Sequence, residues 1–99
     1  MHATLRRIRI RTRQGQVAEV ARLIETQYVP KIATVEGFVS YTLVDLGDDE
    51  ITSLGVFRDQ ASADSANEVA RSWTAEVLSP YVASPLDAAA GSVLVDHRG

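Results

Sequence analysis

The residues best equipped for chemistry in this chain are its arginines. Arg6, Arg7, Arg9, Arg11 and Arg13 place five cations and no anion in the first 13 residues, so the other 86 carry five cations against 13 acids, a formal −8. Nine of the ten cations are arginine, a planar fork suited to bidentate capture of a carboxylate, a phosphate or an enolate. Codon usage in a GC-rich genome would give the same skew. Arg7 and Arg9 are candidates for orienting an anionic or enolic ligand; the alternative is that they pair with acids of a neighbouring subunit or lie along a solvated face. Strand parity groups Arg6 with Ile8 and Ile10, and Arg7 with Arg9 and Arg11. Which set faces inward is open at this level.

A second group of candidates lies further along. Trp73 is the sole tryptophan, and Asn67, Arg71 and Thr74 follow one another at i, i+4 and i+7 beside it. On a helix that spacing lines one flank, where polar groups would rim a pocket or simply meet solvent. Tyr28 and Tyr41 fall on apolar faces, each either turning a hydroxyl into such a pocket or packing in the core with one satisfied hydroxyl. The candidate ligand-binding set is therefore Arg7, Arg9, Tyr28, Tyr41, Asn67, Arg71 and Trp73.

Other chemistries are excluded by composition. Without cysteine there is no disulfide, thiolate zinc site or cysteine nucleophile, and a reducing, cytoplasmic setting is expected. His2 and His97 sit at the chain ends; a last strand lying beside the first would be needed to bring them together, and no metal is expected. A Ser-His-Asp triad lacks its internal histidine. The pI near 5.2 and the absence of aromatics on the first strand argue against nucleic acid. No run approaches the roughly 20 apolar residues of a membrane span.

These side chains need elements to hold them. Thr4 to Thr12 alternates Ile8 and Ile10 with Arg7, Arg9 and Arg11, a strand, broken by Gln14-Gly15. Val17, Val20, Ala21, Ile24, Tyr28 and Ile32 recur at helical spacing, predicting a helix over 16–33, bent or ended near Pro30. Phe38 to Leu46 and Ile51 to Phe57, separated by Gly47-Asp48-Asp49, read as a β-hairpin. Asp59 is placed to cap a second helix over 60–82, whose apolar stripe is Ala66, Val69, Ala70, Trp73 and Val77. Pro80 and Pro85 mark its end and the connection to a last strand, Ser92 to Asp96. The 99 residues thus form a single β-α-β-β-α-β domain of α+β class. Chirality favours the ferredoxin-like layout, a four-stranded antiparallel sheet of order 4-1-3-2 with both helices on one face.

With helices on one face, the second and third strands should alternate apolar and polar residues. They do not: Phe38, Val44 and Leu46 share one parity while Val39, Tyr41 and Leu43 share the other. The bare face needs a cover, and a second copy of the chain supplies it, so a sheet-to-sheet homodimer is expected.

The segments G-F-V-S-Y-T-L-V-D (37–45), I-T-S-L-G-V-F-R-D (51–59) and A-S-A-D-S-A-N-E-V-A-R-S-W (61–73) resemble the antibiotic-biosynthesis-monooxygenase-like branch of the dimeric α+β barrel superfamily, and the last is similar to helices of its small bacterial members. The resemblance implies a homodimer in which two four-stranded sheets form a barrel, each subunit keeping a pocket between sheet and helices. It further implies a small aromatic ligand and oxygenation of a phenolic or quinonoid compound without metal, flavin or other cofactor. The alternative is a non-catalytic ligand-binding or structural homodimer. In the cofactor-free oxygenases an asparagine and a tryptophan lie about one turn apart on the second helix; Asn67 and Trp73 are six apart. The asparagine and histidine of the haem-degrading branch have no counterpart, so haem is not expected.

Overall fold

The computed structural model describes residues 1–12 and 15–99; Arg13 and the strand break expected at Gln14 lie outside them. Strand β1 (His2–Ile10) leads into α1 (Gln16–Leu23), which continues through a five-residue π-turn (Ile24–Tyr28) into α2 (Val29–Ile32). Strands β2 (Phe38–Gly47) and β3 (Glu50–Phe57) follow, then α3 (Gln60–Trp73), a second π-turn (Thr74–Leu78), a 3-10 turn (Ser79–Tyr81) and β4 (Val82–Ser92). The antiparallel sheet has the order β2-β3-β1-β4, the expected ferredoxin-like topology.

Local chemistry explains most of these bounds. Asp48 and Asp49 both take positive φ, 54° and 63°, as a two-residue hairpin turn of the primed type requires. Asp59 caps α3 by accepting from the Ser62 backbone N–H at 2.8 Å. At the entry to β2, Gly37 has φ 92°, and its missing side chain leaves room for Ser62, whose Oγ would lie 2.2 Å from a Cβ there.

The two π-turns have a common cause. Val29 N–H donates to the Ile24 carbonyl and Ser79 N–H to the Thr74 carbonyl, five residues back in both cases. Pro30 and Pro80 each come six residues after the turn begins. Proline has no N–H for the carbonyl four back and its ring crowds that carbonyl, so the chain widens the turn ahead of it. Widening also sets which side chains face inward. Val20, Ile24, Tyr28 and Ile32 repeat strictly every four residues, and all four are buried. In a pure α-helix of 3.6 residues per turn that repeat would drift around the axis by about 40° per step; the wider turn takes the drift back.

The last strand is the main departure from expectation. It is Val82–Ser92, and the segment expected as strand, Ser92 to Asp96, lies almost wholly beyond its end. Val82 to Gly91 is dominated by alanine with Pro85 in its midst, a composition that reads as a connection. Position in the sheet overrides it: β4 is an edge strand, where a proline costs no inner ladder bond. Register shifts between Arg7 and Ile8 and between Arg9 and Ile10 accommodate the irregularity. Pairing stops at Ser92 because its partner, His2, opens β1; one further bond joins Val93 N–H to the Met1 carbonyl. His97 lies outside the sheet, so the strand pairing that would bring it to His2 does not form.

The interior divides into two parts. The larger gathers Ile10, Val20, Ile24, Tyr28, Ile32, Ile51, Ala70, Trp73 and Leu78 between sheet and helices. The smaller, Phe57 with Ala63 and Ala66, packs against Val35 and Phe38 under the start of α3. The opposite face of the sheet carries exposed Leu5, Val44, Leu46 and Leu54, and beyond β4 Leu94 and Val95 are also exposed.

Candidate functional site

A cleft opens between the sheet and the two helical segments. Its free space, mouth included, is about 520 Å³, and the interior open to water is about 80 Å³. Strand β1 contributes Arg6 and Ile8, β2 Tyr41 and Leu43, and β3 Ile51 and Ser53. Ala70 and Trp73 come from α3; Ile24, Tyr28, Thr74 and Leu78 are the first and last residues of the two π-turns. The widened turns therefore form the helical wall of the cleft.

Three aromatic rings line one side. Tyr28 stands edge-on to Tyr41 with centroids 5.5 Å apart and tilted to Trp73 at 5.2 Å, distances typical of favourable aromatic pairs. Trp73 is 4% exposed, and its Nε1–H has no hydrogen-bond partner. Burial pushes the Tyr28 phenol up to about 12, with nearby Tyr41 adding to the shift and the Arg6 charge opposing it. Burial likewise raises Tyr41, against the pull of Ser53 and Arg6. Both hydroxyls are thus held protonated, as donors, at neutral pH.

Among the described residues Arg6 is the one charged residue lining the cleft. It is half-buried, and its Nη2 donates to Asn67 Oδ1 at 3.1 Å. The parity question is settled by Ile8 and Ile10: these must be covered by the helices, and Arg6 goes with them. Arg7 and Arg9 are exposed on the other face, where Arg9 pairs with Glu50 and Arg7 stands across from Asp87 of β4. The structure therefore corrects the sequence assignment, replacing Arg7 and Arg9 by Arg6 at the cleft. The parity of Arg6 with two isoleucines was the signal available for it.

The remaining candidates separate. Tyr28, Tyr41 and Trp73 are brought together in the wall, joined by Thr74. Asn67 reaches the cleft only through its bond to Arg6. Arg71 is turned to solvent, bonded to Glu68 one turn earlier, and takes no part. Ser53, Leu43, Ile24 and Leu78 were not anticipated; the strict four-residue apolar repeat of the first helix pointed to Ile24. Among the described residues no group of three or more His, Asp or Glu side chains is arranged to hold a metal ion, and no helix is long and apolar enough to cross a membrane.

Comparison with known proteins places this architecture. No curated protein matches the sequence. A protein of unknown function from Nitrosomonas europaea, NE2512, superposes with TM-score 0.78 at 17% identity, covering 99% of this chain and 93% of that one. Rv0793 from Mycobacterium tuberculosis gives 0.72 at 17%, covering 98% of each. A dimeric ferredoxin-like protein from an uncultured marine organism gives 0.73 at 8%, covering 99% and 91%. At these identities the likeness is one of fold. The family model described as antibiotic biosynthesis monooxygenase matches residues 5–70, which run from the arginine strand through β2 and β3 into α3, and the chain belongs to that family.

Proposed function

We propose that residues 1–99 form a single small-molecule-binding domain whose cleft takes a planar phenolic or quinonoid compound, and that it oxygenates this compound without a cofactor. The observation that carries the reading is the cleft itself, an apolar slot walled by three aromatic rings and supplied with one cation and several hydrogen-bond donors. In such chemistry the ionised substrate gives its own electrons to oxygen. A ring C–H becomes C=O, one atom of O₂ enters the product and the other leaves as water. The protein's part is to hold the anion, stabilise its charge and exclude bulk water. Arg6 is the charge partner, the tyrosine hydroxyls are donors, and the aromatic wall orients the ring.

The domain acts as a homodimer in this reading. Support comes from the apolar side chains on the open sheet face and from the dimeric state of one structural neighbour.

A second reading, binding without turnover, is favoured by the absence of any carboxylate or imidazole from the cleft lining, which leaves no base to ionise a weakly acidic phenol. One experiment separates the two. Dihydroxyaromatic compounds are added to the protein in metal-free buffer while Trp73 emission and dissolved oxygen are followed together. Oxygenation gives a change in emission with stoichiometric oxygen uptake that Arg6→Met slows, about 10–1,000-fold by analogy with the loss of an oxyanion donor. A change in emission without oxygen uptake supports binding alone. If neither signal moves across a broad panel, the cleft is not a ligand site.

A further inference from the structure

We infer that the cleft selects ligands that arrive already ionised, planar aromatic oxyanions of a single ring, gripped by Arg6, with Asn67 positioning the guanidinium. This rests on the reading of the cleft as a small-molecule site and narrows it to a ligand class.

The donor and acceptor groups of the lining are unbalanced. Arg6 and Trp73 can only donate; Tyr28, Tyr41, Ser53 and Thr74 carry hydroxyls that do either; among the described residues no carboxylate, imidazole or amide side chain lines the cleft to act as a fixed acceptor. The imbalance includes a charge. Ion pairs among the described residues engage Arg9, Arg22, Arg58, Arg71 and Arg98, whereas the half-buried Arg6 has no acid within ion-pair distance. Its side-chain bond to Asn67 uses one of five N–H groups and leaves an edge of the fork free for two oxygens. An oxyanion supplies the counter-charge that Arg6 lacks.

Asn67 fits a positioning role because it is neutral. Its amide oxygen anchors the guanidinium at 3.1 Å without cancelling the charge. An aspartate of nearly the same shape would hold Arg6 equally well and neutralise it.

Size limits the ligand. The interior of about 80 Å³ is less than the roughly 150 Å³ cavity that accommodates benzene, so one ring fills it and reaches into the mouth. The lining also contains no proton acceptor, and burial keeps both tyrosines in the acid form. The ligand must therefore be acidic enough to ionise in water, as an aryl carboxylate or a phenol with an electron-withdrawing substituent does.

The test uses the full chain and three probes: benzoate, its neutral near-isostere benzamide, and 4-nitrophenolate at mildly alkaline pH. Affinities are read by isothermal titration calorimetry, with Trp73 emission as a second signal. At least one of the two anions is expected to bind about ten-fold or more tightly than benzamide, the margin of a charge-assisted hydrogen bond, and which anion is preferred identifies the source of the oxyanion. Arg6→Met and Asn67→Asp each bring that ratio to within about two-fold, and urea unfolding shows both variants to be folded. A merely structural role for Asn67 would weaken anion and amide alike. If benzamide matches both anions in the wild type, or if selection survives both substitutions, the inference fails while the cleft stands as a ligand site. If none of the three probes binds but a dihydroxyaromatic does, the single-ring oxyanion class is wrong; if nothing binds, the cleft reading falls with it.

Discussion

At the scale of single residues, the cleft is built from groups that ordinarily reach water and here do not. Tyr28 shows the thermodynamic consequence. Its folded-state pKa of about 12 lies above the ordinary 10.0, so the fold favours the protonated phenol. The associated stability is complete below pH 10 and is lost as pH rises through the interval to about 12. Urea unfolding between pH 9 and 12 is expected to show this loss for the wild type and a flatter profile for Tyr28→Phe, which has no phenol to ionise. An unchanged profile would mean that the Tyr28 hydroxyl is solvated in the folded protein. The residue scale is also where the sequence was hardest to read. Tyr28, Tyr41 and Trp73 were legible because large aromatics on apolar stripes must go inside. Arg7 and Arg9 were misplaced because an arginine-rich strand shows its alternation but does not say which side the helices take. Asn67 and Arg71 look alike on a helical flank; only β1 beneath them makes one a partner of Arg6 and leaves the other to Glu68.

At the scale of elements, the sequence conveyed nearly every element and the whole strand order, because periods of two and of about four survive without tertiary information. Two features did not come through. The alanine-rich β4 has no pattern of its own and exists because β1 offers it a ladder. The π-turns were hidden by their similarity to α-helix, although prolines six residues after Ile24 and Thr74 and the four-residue apolar repeat marked them. A junction that was legible as a chain break, Gly37, proves to be a packing site as well. A side chain there would sit at an unfavourable φ of 92° and inside the van der Waals envelope of buried Ser62. Gly37→Ala is expected to cost at least about 2 kcal/mol in urea unfolding, from backbone strain and steric overlap together. The double variant Gly37→Ala with Ser62→Gly is expected to recover the steric part and not the strain. Equal losses in both would remove Ser62 from the account.

At the scale of the whole molecule, the sheet has one face in the core and another that carries exposed Leu5, Val44, Leu46 and Leu54 beside Arg7 and Arg9. Leu54, at 39% exposure, stands at its centre between Leu5 and Thr42. Sedimentation equilibrium is expected to give a dimer at micromolar concentration, and Leu54→Glu a folded monomer, since two carboxylates would be desolvated against each other. A wild-type monomer of 10.8 kDa would refute the homodimer. The division of the core has a mechanical consequence as well. The first half of α3 is clamped by the Asp59 cap and by Ala63 and Ala66 against Phe57, whereas its far end, from Ala70 to Leu78, roofs the cleft. The bond from Asn67 to Arg6 falls between the two. The helical segment is thus held by two cores, its start by the Phe57 cluster and its far end by the larger interior, with Asn67 between them. Because only the second of these parts borders the cleft, ligand-dependent changes in amide exchange along the segment should begin after residue 67 and leave the part packed on Phe57 unchanged.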